Sequence, residues 1–97
     1  MNPDQVLAPK IKEIAESLYS TSIDPKLIQL QKTKKEFAGD VTLVVFPFAK
    51  ISKKSPQDTA NELGMALQKG LPIISEFNVV QGFLNLVIKA MFFLLFL

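Results

Sequence analysis

The stretch GDVTLVVFPFAKISKKSP, residues 39–56, decides how this chain folds. Gly39-Asp40 is a turn pair, because glycine reaches backbone angles closed to other residues and aspartate hydrogen-bonds its own neighbouring backbone. Val41 to Phe48 is rich in β-branched and aromatic side chains and reads as a buried strand. Pro47 must end or bend that strand, having no N–H for the ladder. From Phe46 to Ile51 a short helix is the alternative, since proline is comfortable in a first helical turn; the residues alone leave both open. Ser55-Pro56-Gln57-Asp58 then starts a helix, with a capping hydroxyl, proline at the first position and an acid near the positive helix end.

Working outward, Ala60, Leu63, Ala66 and Leu67 give that helix an apolar stripe, Gly70 closes it and Pro72 prevents its continuation. Ile73 to Val80 and Phe83 to Ile88 read as strands joined by the Gln81-Gly82 pair, which suits a two-residue hairpin. Upstream, Lys32 to Glu36 is a solvated block, Leu27 to Lys32 alternates as a strand does, and Ser20 to Pro25 is turn-rich. A first helix is expected from Pro3 to Ser20, regular only after Pro9, with Leu7, Ile11, Ile14, Ala15 and Leu18 facing inward. The order helix, strand, strand, helix, strand, strand predicts an α+β fold: a four-stranded antiparallel sheet with two main helices packed on one face. Residues 1–89 form one domain, and 90–97 (AMFFLLFL) a hydrophobic tail.

The composition restricts chemistry. The chain has neither cysteine nor histidine. That excludes disulfides, thiolate metal sites and any Ser-His-Asp relay, and it allows a cytosolic home. The four glycines are scattered singly, so no phosphate-cradling loop is present. Asp40, Asp58, Glu62 and Glu76 have local explanations as turn, cap or exposed-face acids. No catalytic residue and no metal-binding residue is expected. The tail is well short of the roughly twenty apolar residues that span a bilayer, so it reads as a buried final strand or a hydrophobic stub rather than a membrane anchor.

All eleven cations are lysines, against nine acids, for a net charge of +2. Their placement says more than their sum. Lys32, Lys34 and Lys35 precede Gly39-Asp40, and Lys50, Lys53 and Lys54 follow the central strand. Ammonium groups serve phosphates as point charges. Phe37, Phe46 and Phe48 interleave with them, and an exposed ring stacks on an unpaired base. If the central strand crosses the domain once, the two lysine groups lie at opposite ends; a bend at Pro47 lets them converge. The plainer reading is that lysine runs are solvated loops and that phenylalanines in a β-branched strand are core.

Gly39-Asp40 opening a strand, Ala49-Lys50, Ser55-Pro56 starting a helix and Gly82-Phe83-Leu84-Asn85-Leu86 near the end stand in an order that resembles the N-terminal accessory domain of bacterial arginyl-tRNA synthetases. The resemblance runs from about Pro3 to Lys89. It implies an α+β unit of an ATP-dependent aminoacyl-tRNA ligase that contacts the D-loop of tRNA(Arg), working in the cytoplasm beside the catalytic body of the synthetase. Gly39, Asp40, Gly82, Phe83 and Asn85 match the family pattern as structural residues. RNA contact is expected from Lys34, Lys35, Lys50, Lys53, Lys54, Phe46 and Phe48.

Val41 and Thr42 stand where the family often has Tyr-Gln, and Val44 where it often has a base-reading asparagine. Phosphate-backbone contacts by Lys50, Lys53 and Lys54 are therefore expected in preference to direct base readout. ATP and magnesium would belong to a catalytic domain that this sequence does not contain, so no cofactor is expected here, and the chain reads as a fragment or a truncated product. The alternative function is a protein–protein or dimerisation module that self-associates through the tail.

Overall fold

A computed structural model describes residues 3–89. The expectations placed on residues 90–97 lie outside that range. Helix α1 runs Pro3–Tyr19, strand β1 Leu30–Lys32, strand β2 Val41–Val44, helix α2 Phe46–Ser52, helix α3 Pro56–Gly70, strand β3 Ile74–Val80 and strand β4 Phe83–Ile88. The sheet has the order β1-β2-β4-β3 with every neighbouring pair antiparallel. The α+β class and four-stranded antiparallel sheet expected from the sequence are what the chain adopts.

The register explains which face is buried. Leu43 sits opposite Leu30 and Leu84, and Val41 opposite Leu86. On β3, Val79 faces Leu84 and Phe77 faces Leu86. Because side chains alternate across a strand, these positions share one face, and α1 and α3 cover it with Leu7, Ile11 and Ala15 and with Ala60, Leu63 and Leu67. Cores of this kind derive their stability from removing apolar surface from water, about 25 cal/mol per Å². The opposite face carries Gln31, Thr42, Asn85 and Asn78 in one row and Val44, Phe83 and Val80 in the next.

One open boundary is settled and two sequence expectations change. Of the two readings left open after Val45, the short helix is the one adopted: the strand stops at Val44 and α2 follows. Val45 turns the chain: its N–H donates to the Gly82 carbonyl at 3.1 Å, and its carbonyl accepts from Phe48 and Ala49 at 2.8 and 3.2 Å. Pro47 falls where a helix needs no N–H donor. The strand expected from Leu27 keeps only Leu30–Lys32. Pro25–Leu27 instead form a short 3-10 turn, because the Asp24 carboxylate accepts from the Lys26 N–H at 2.9 Å. In α1, Leu18 is exposed rather than inward-facing, and Leu7 is fully buried, so packing begins before Pro9.

Candidate nucleic-acid interface

The helix-free face of the sheet carries a row of polar side chains that water barely reaches: Thr33 is 7%, Thr42 3% and Asn85 2% exposed. Buried polar groups need partners, and these find one another. Thr33 Oγ1 and Thr42 Oγ1 are 2.8 Å apart, Thr42 Oγ1 donates to Asn85 Oδ1 at 2.6 Å, and Asn85 Nδ2 donates to Asn78 Oδ1 at 2.9 Å. Asn78 Nδ2 donates onward to the Ala38 carbonyl at 2.6 Å.

Ala38 belongs to the loop between β1 and β2, which folds over this face. Lys34 to Phe37 make a turn closed by Phe37 N–H to the Lys34 carbonyl at 3.0 Å. Gly39 has φ +146, and a Cβ there would lie 3.0 Å from Thr33 Oγ1 and 3.2 Å from Asn85 Cβ. Glycine is thus required both by the backbone angle and by the close approach. Asp40 fastens the far side: its N–H donates to the Leu86 carbonyl, and its carboxylate accepts from the Ile88 N–H, both at 2.8 Å. The turn acid read from sequence is therefore a cross-strand anchor.

Between loop and sheet lies a cavity of about 200 Å³. Thr42 and Asn85 floor it, Phe37, Phe83 and Val80 supply apolar wall, and Gln31, Gln81, Lys34 and Glu36 stand around it. The Gln81-Gly82 turn has both residues at positive φ, 49 and 83, the geometry of the hairpin turn expected there. Phe37 is 38% exposed. Gln31, Gln81, Thr42 and Asn78 were not among the RNA-contact residues expected from the sequence. For Gln31, Thr42 and Asn78, polarity within apolar strands was the available signal, but only the register shows that they share a face, and Gln81 joins them from the turn.

The remaining expected contacts are placed as follows. Lys34 lines the cavity, and Lys35 is exposed on the same turn. Lys50 is exposed in the last turn of α2, and Lys53 follows in the left-handed conformation, φ 62, donating its N–H to Ala49. Lys54 forms an ion pair with Glu62 of α3. These three do not line the cavity. Phe46 is 46% exposed, its ring edge-on to Phe83. Phe48 is 0% exposed and belongs to the core, so its ring has no free face on which a base could stack. That expectation is corrected: α2 turns Phe48 under the sheet, where a continued strand would have alternated it differently. Among the described residues no group of three acids is arranged to hold a metal, and no helix is long and apolar enough to cross a membrane.

The family model for the arginyl-tRNA synthetase N-terminal domain matches residues 5–88. The chain belongs to this family. The arginine–tRNA ligase of Phocaeicola vulgatus is 49% identical over 91 residues, 93% of this chain and 15% of the relative. That of Bacteroides thetaiotaomicron is 48% identical over 87 residues, 90% of this chain and 14% of the relative. For Parabacteroides distasonis the figures are 55% over 71 residues, 73% and 12%. The chain therefore spans 12–15% of the length of these curated relatives. The solved arginyl-tRNA synthetase of Thermus thermophilus shares the fold, with a TM-score of 0.71 at 23% identity over 96% of this chain and 15% of that one. In this chain Gly39, Asp40, Gly82 and Asn85 have structural duties that the geometry makes explicit: two turns, one cross-strand anchor and one buried hydrogen-bond hub.

Proposed function

We propose that this domain binds tRNA for an arginine–tRNA ligase, on the sheet face that the helices leave open. The supporting observation is the cavity under the 33–40 loop, where two aromatic rings, Phe37 and Phe83, and two amides, Gln31 and Gln81, stand beside the Lys34 ammonium. Rings offer stacking, amides offer hydrogen bonds to a base edge, and the ammonium attracts phosphate. A cavity below the roughly 300 Å³ of drug-sized pockets suits one unpaired base rather than a helix groove. In this reading the ligand is a tRNA loop, the D-loop of tRNA(Arg), and the amides take over the base contact for which Val44 has no polar atom. Lys35, Lys50 and Lys53 touch the phosphate backbone. Lys54 joins them by leaving Glu62, an exchange with little cost, because exposed ion pairs are worth about 0–1 kcal/mol. The catalytic body of the ligase is the protein partner and the cytoplasm the setting.

Binding of a tRNA(Arg) transcript at several salt concentrations tests this. Each lysine that contacts phosphate contributes about 0.7–0.9 to the log–log slope. Lys50→Ala/Lys53→Ala/Lys54→Ala lowers the slope, and Phe37→Ala weakens binding without changing it. Equal slopes for wild type and triple variant would exclude those lysines, and no binding at any salt would end the reading. The rival, self-association through residues 90–97, rests on their wholly apolar sequence. Sedimentation with and without those residues decides it.

A further inference from the structure

The polar chain on the open face begins and ends in the same loop. Thr33 enters the loop from β1, and Ala38 lies near its far end; between them the hydrogen bonds run through Thr42, Asn85 and Asn78 on three different strands. Each proton direction is fixed. Asn85 gives its N–H to Asn78, so its oxygen accepts from the Thr42 hydroxyl. The Thr42 proton is thereby used, so the Thr33 hydroxyl must donate to Thr42. Asn78 has its oxygen occupied, which leaves its N–H for Ala38. Apolar residues at 42, 78 and 85 would pack a sheet equally well. They would not hold a loop carbonyl.

We infer that Asn78 and Asn85 are positioning residues: the chain they complete clamps the 33–40 loop, with Lys34 and Phe37, onto the sheet, so that the cavity is built before RNA arrives. The inference rests on the RNA-binding reading above. Holding a binding loop in its bound shape removes an ordering cost that would otherwise reduce affinity. The packing of Gly39 against Thr33 and Asn85 is a second, independent sign of the clamp, because it seats the loop backbone directly on the polar row.

Asn78→Asp separates the clamp from the fold. The carboxylate still accepts from Asn85, but it has no N–H for Ala38 and opposes that carbonyl with negative charge. Position 78 is half-buried on an edge strand, so water reaches the added charge. Asn78→Leu, uncharged and of similar size, controls for repulsion of RNA by the carboxylate. Thr42→Ser keeps the buried hydroxyl, and Thr42→Val keeps the shape without it.

The measurements are amide exchange across the chain and binding of a tRNA transcript against salt. Asn78→Asp and Asn78→Leu should speed exchange at residues 34–38 about three- to tenfold, the factor carried by one neutral hydrogen bond. They should weaken tRNA binding by a similar factor with the salt slope of Asn78→Leu unchanged, since no phosphate contact is lost. Thr42→Ser should match wild type in both measurements, and Thr42→Val should match the Asn78 variants. Unchanged exchange at 34–38 in both Asn78 variants overturns the clamp, and faster exchange with unchanged affinity overturns its role in binding. A wild-type chain that ignores tRNA overturns the RNA-binding reading instead, while the exchange measurement still judges the clamp.

Discussion

The ring of Phe46 stands at 86° to that of Phe83, with centroids 5.7 Å apart. This edge-to-face contact ties the first residue of α2 to a strand whose Phe83 lines the cavity. The Phe46 ring also roofs the Gln81-Gly82 turn: a Cβ on Gly82 would meet it at 2.9 Å. A ring that looks like a free stacking platform in the sequence is thus half committed to holding the hairpin.

Phe46 and Phe48, two residues apart, should respond very differently to truncation. Phe46→Ala loses an aromatic pair worth about 0.5–1.5 kcal/mol beyond its area and leaves a folded domain. Phe48→Ala empties a fully buried site, which costs about 3–5 kcal/mol, a large part of the 5–15 kcal/mol that holds a domain together. Urea unfolding monitored by circular dichroism distinguishes them. Equal losses would contradict the placement of Phe48.

Gly39→Ala adds a methyl where φ is +146 and Thr33 Oγ1 is 3.0 Å away. Strain of this kind costs on the order of 1–3 kcal/mol. The urea midpoint should fall accordingly, with the m-value unchanged because the surface exposed on unfolding is the same. A midpoint within error of wild type would mean that the loop sits higher above Asn85 than described.

What was legible in the sequence was local. The Ser55 cap and the Gln81-Gly82 turn each follow from two or three adjacent residues, and both take the geometry their chemistry demands. The span 45–52 was ambiguous because an apolar run with one proline satisfies either period; Val45, bonded to Gly82 across the sheet, settles it as a helix start. The cavity was not legible. Thr42, Asn78 and Asn85 meet only through strand register, which no single sequence states. Gly64 is similar: nothing in the sequence marks it, yet a Cβ there would lie 2.6 Å from the Phe77 ring, so α3 approaches β3 through it. Lys54, read as free for phosphate, is paired by the α2–α3 corner.

Acid should loosen the end of α1. Glu16 Oε2 accepts from the Ile23 N–H at 2.8 Å and from Lys12 Nζ at 2.9 Å. The Ile23 hydrogen bond first, and then Lys12, hold its carboxyl below the ordinary 4.5. A carboxylate depressed in the folded state contributes stability that is complete above its unfolded value and is lost as pH falls through the lower folded value. Thermal melting should therefore be flat near neutrality and decline below about pH 4.5. Glu16→Gln should flatten part of that decline. An unchanged acid limb would exclude Glu16 as a contributor.

Glu62→Gln should do two things that separate electrostatics from packing. In the folded chain the Lys54 hydrogen bond holds the Glu62 carboxyl below 4.5, so the variant loses acid-side pH dependence in the same sense as Glu16→Gln. The Tyr19 phenol is held above its ordinary range by burial and then by the Glu62 charge. Neutralising Glu62 should therefore let the phenol ionise at lower pH, readable in the ultraviolet titration of the single tyrosine. The same change releases Lys54, which in the RNA-binding reading then reaches phosphate without first leaving a carboxylate. Affinity for tRNA should rise a few-fold at low salt and converge with wild type at high salt, as screening removes the difference. A variant whose tyrosine titration shifts while its tRNA binding does not would place Lys54 outside the interface, and would leave Lys34, Lys35, Lys50 and Lys53 to carry the phosphate contacts.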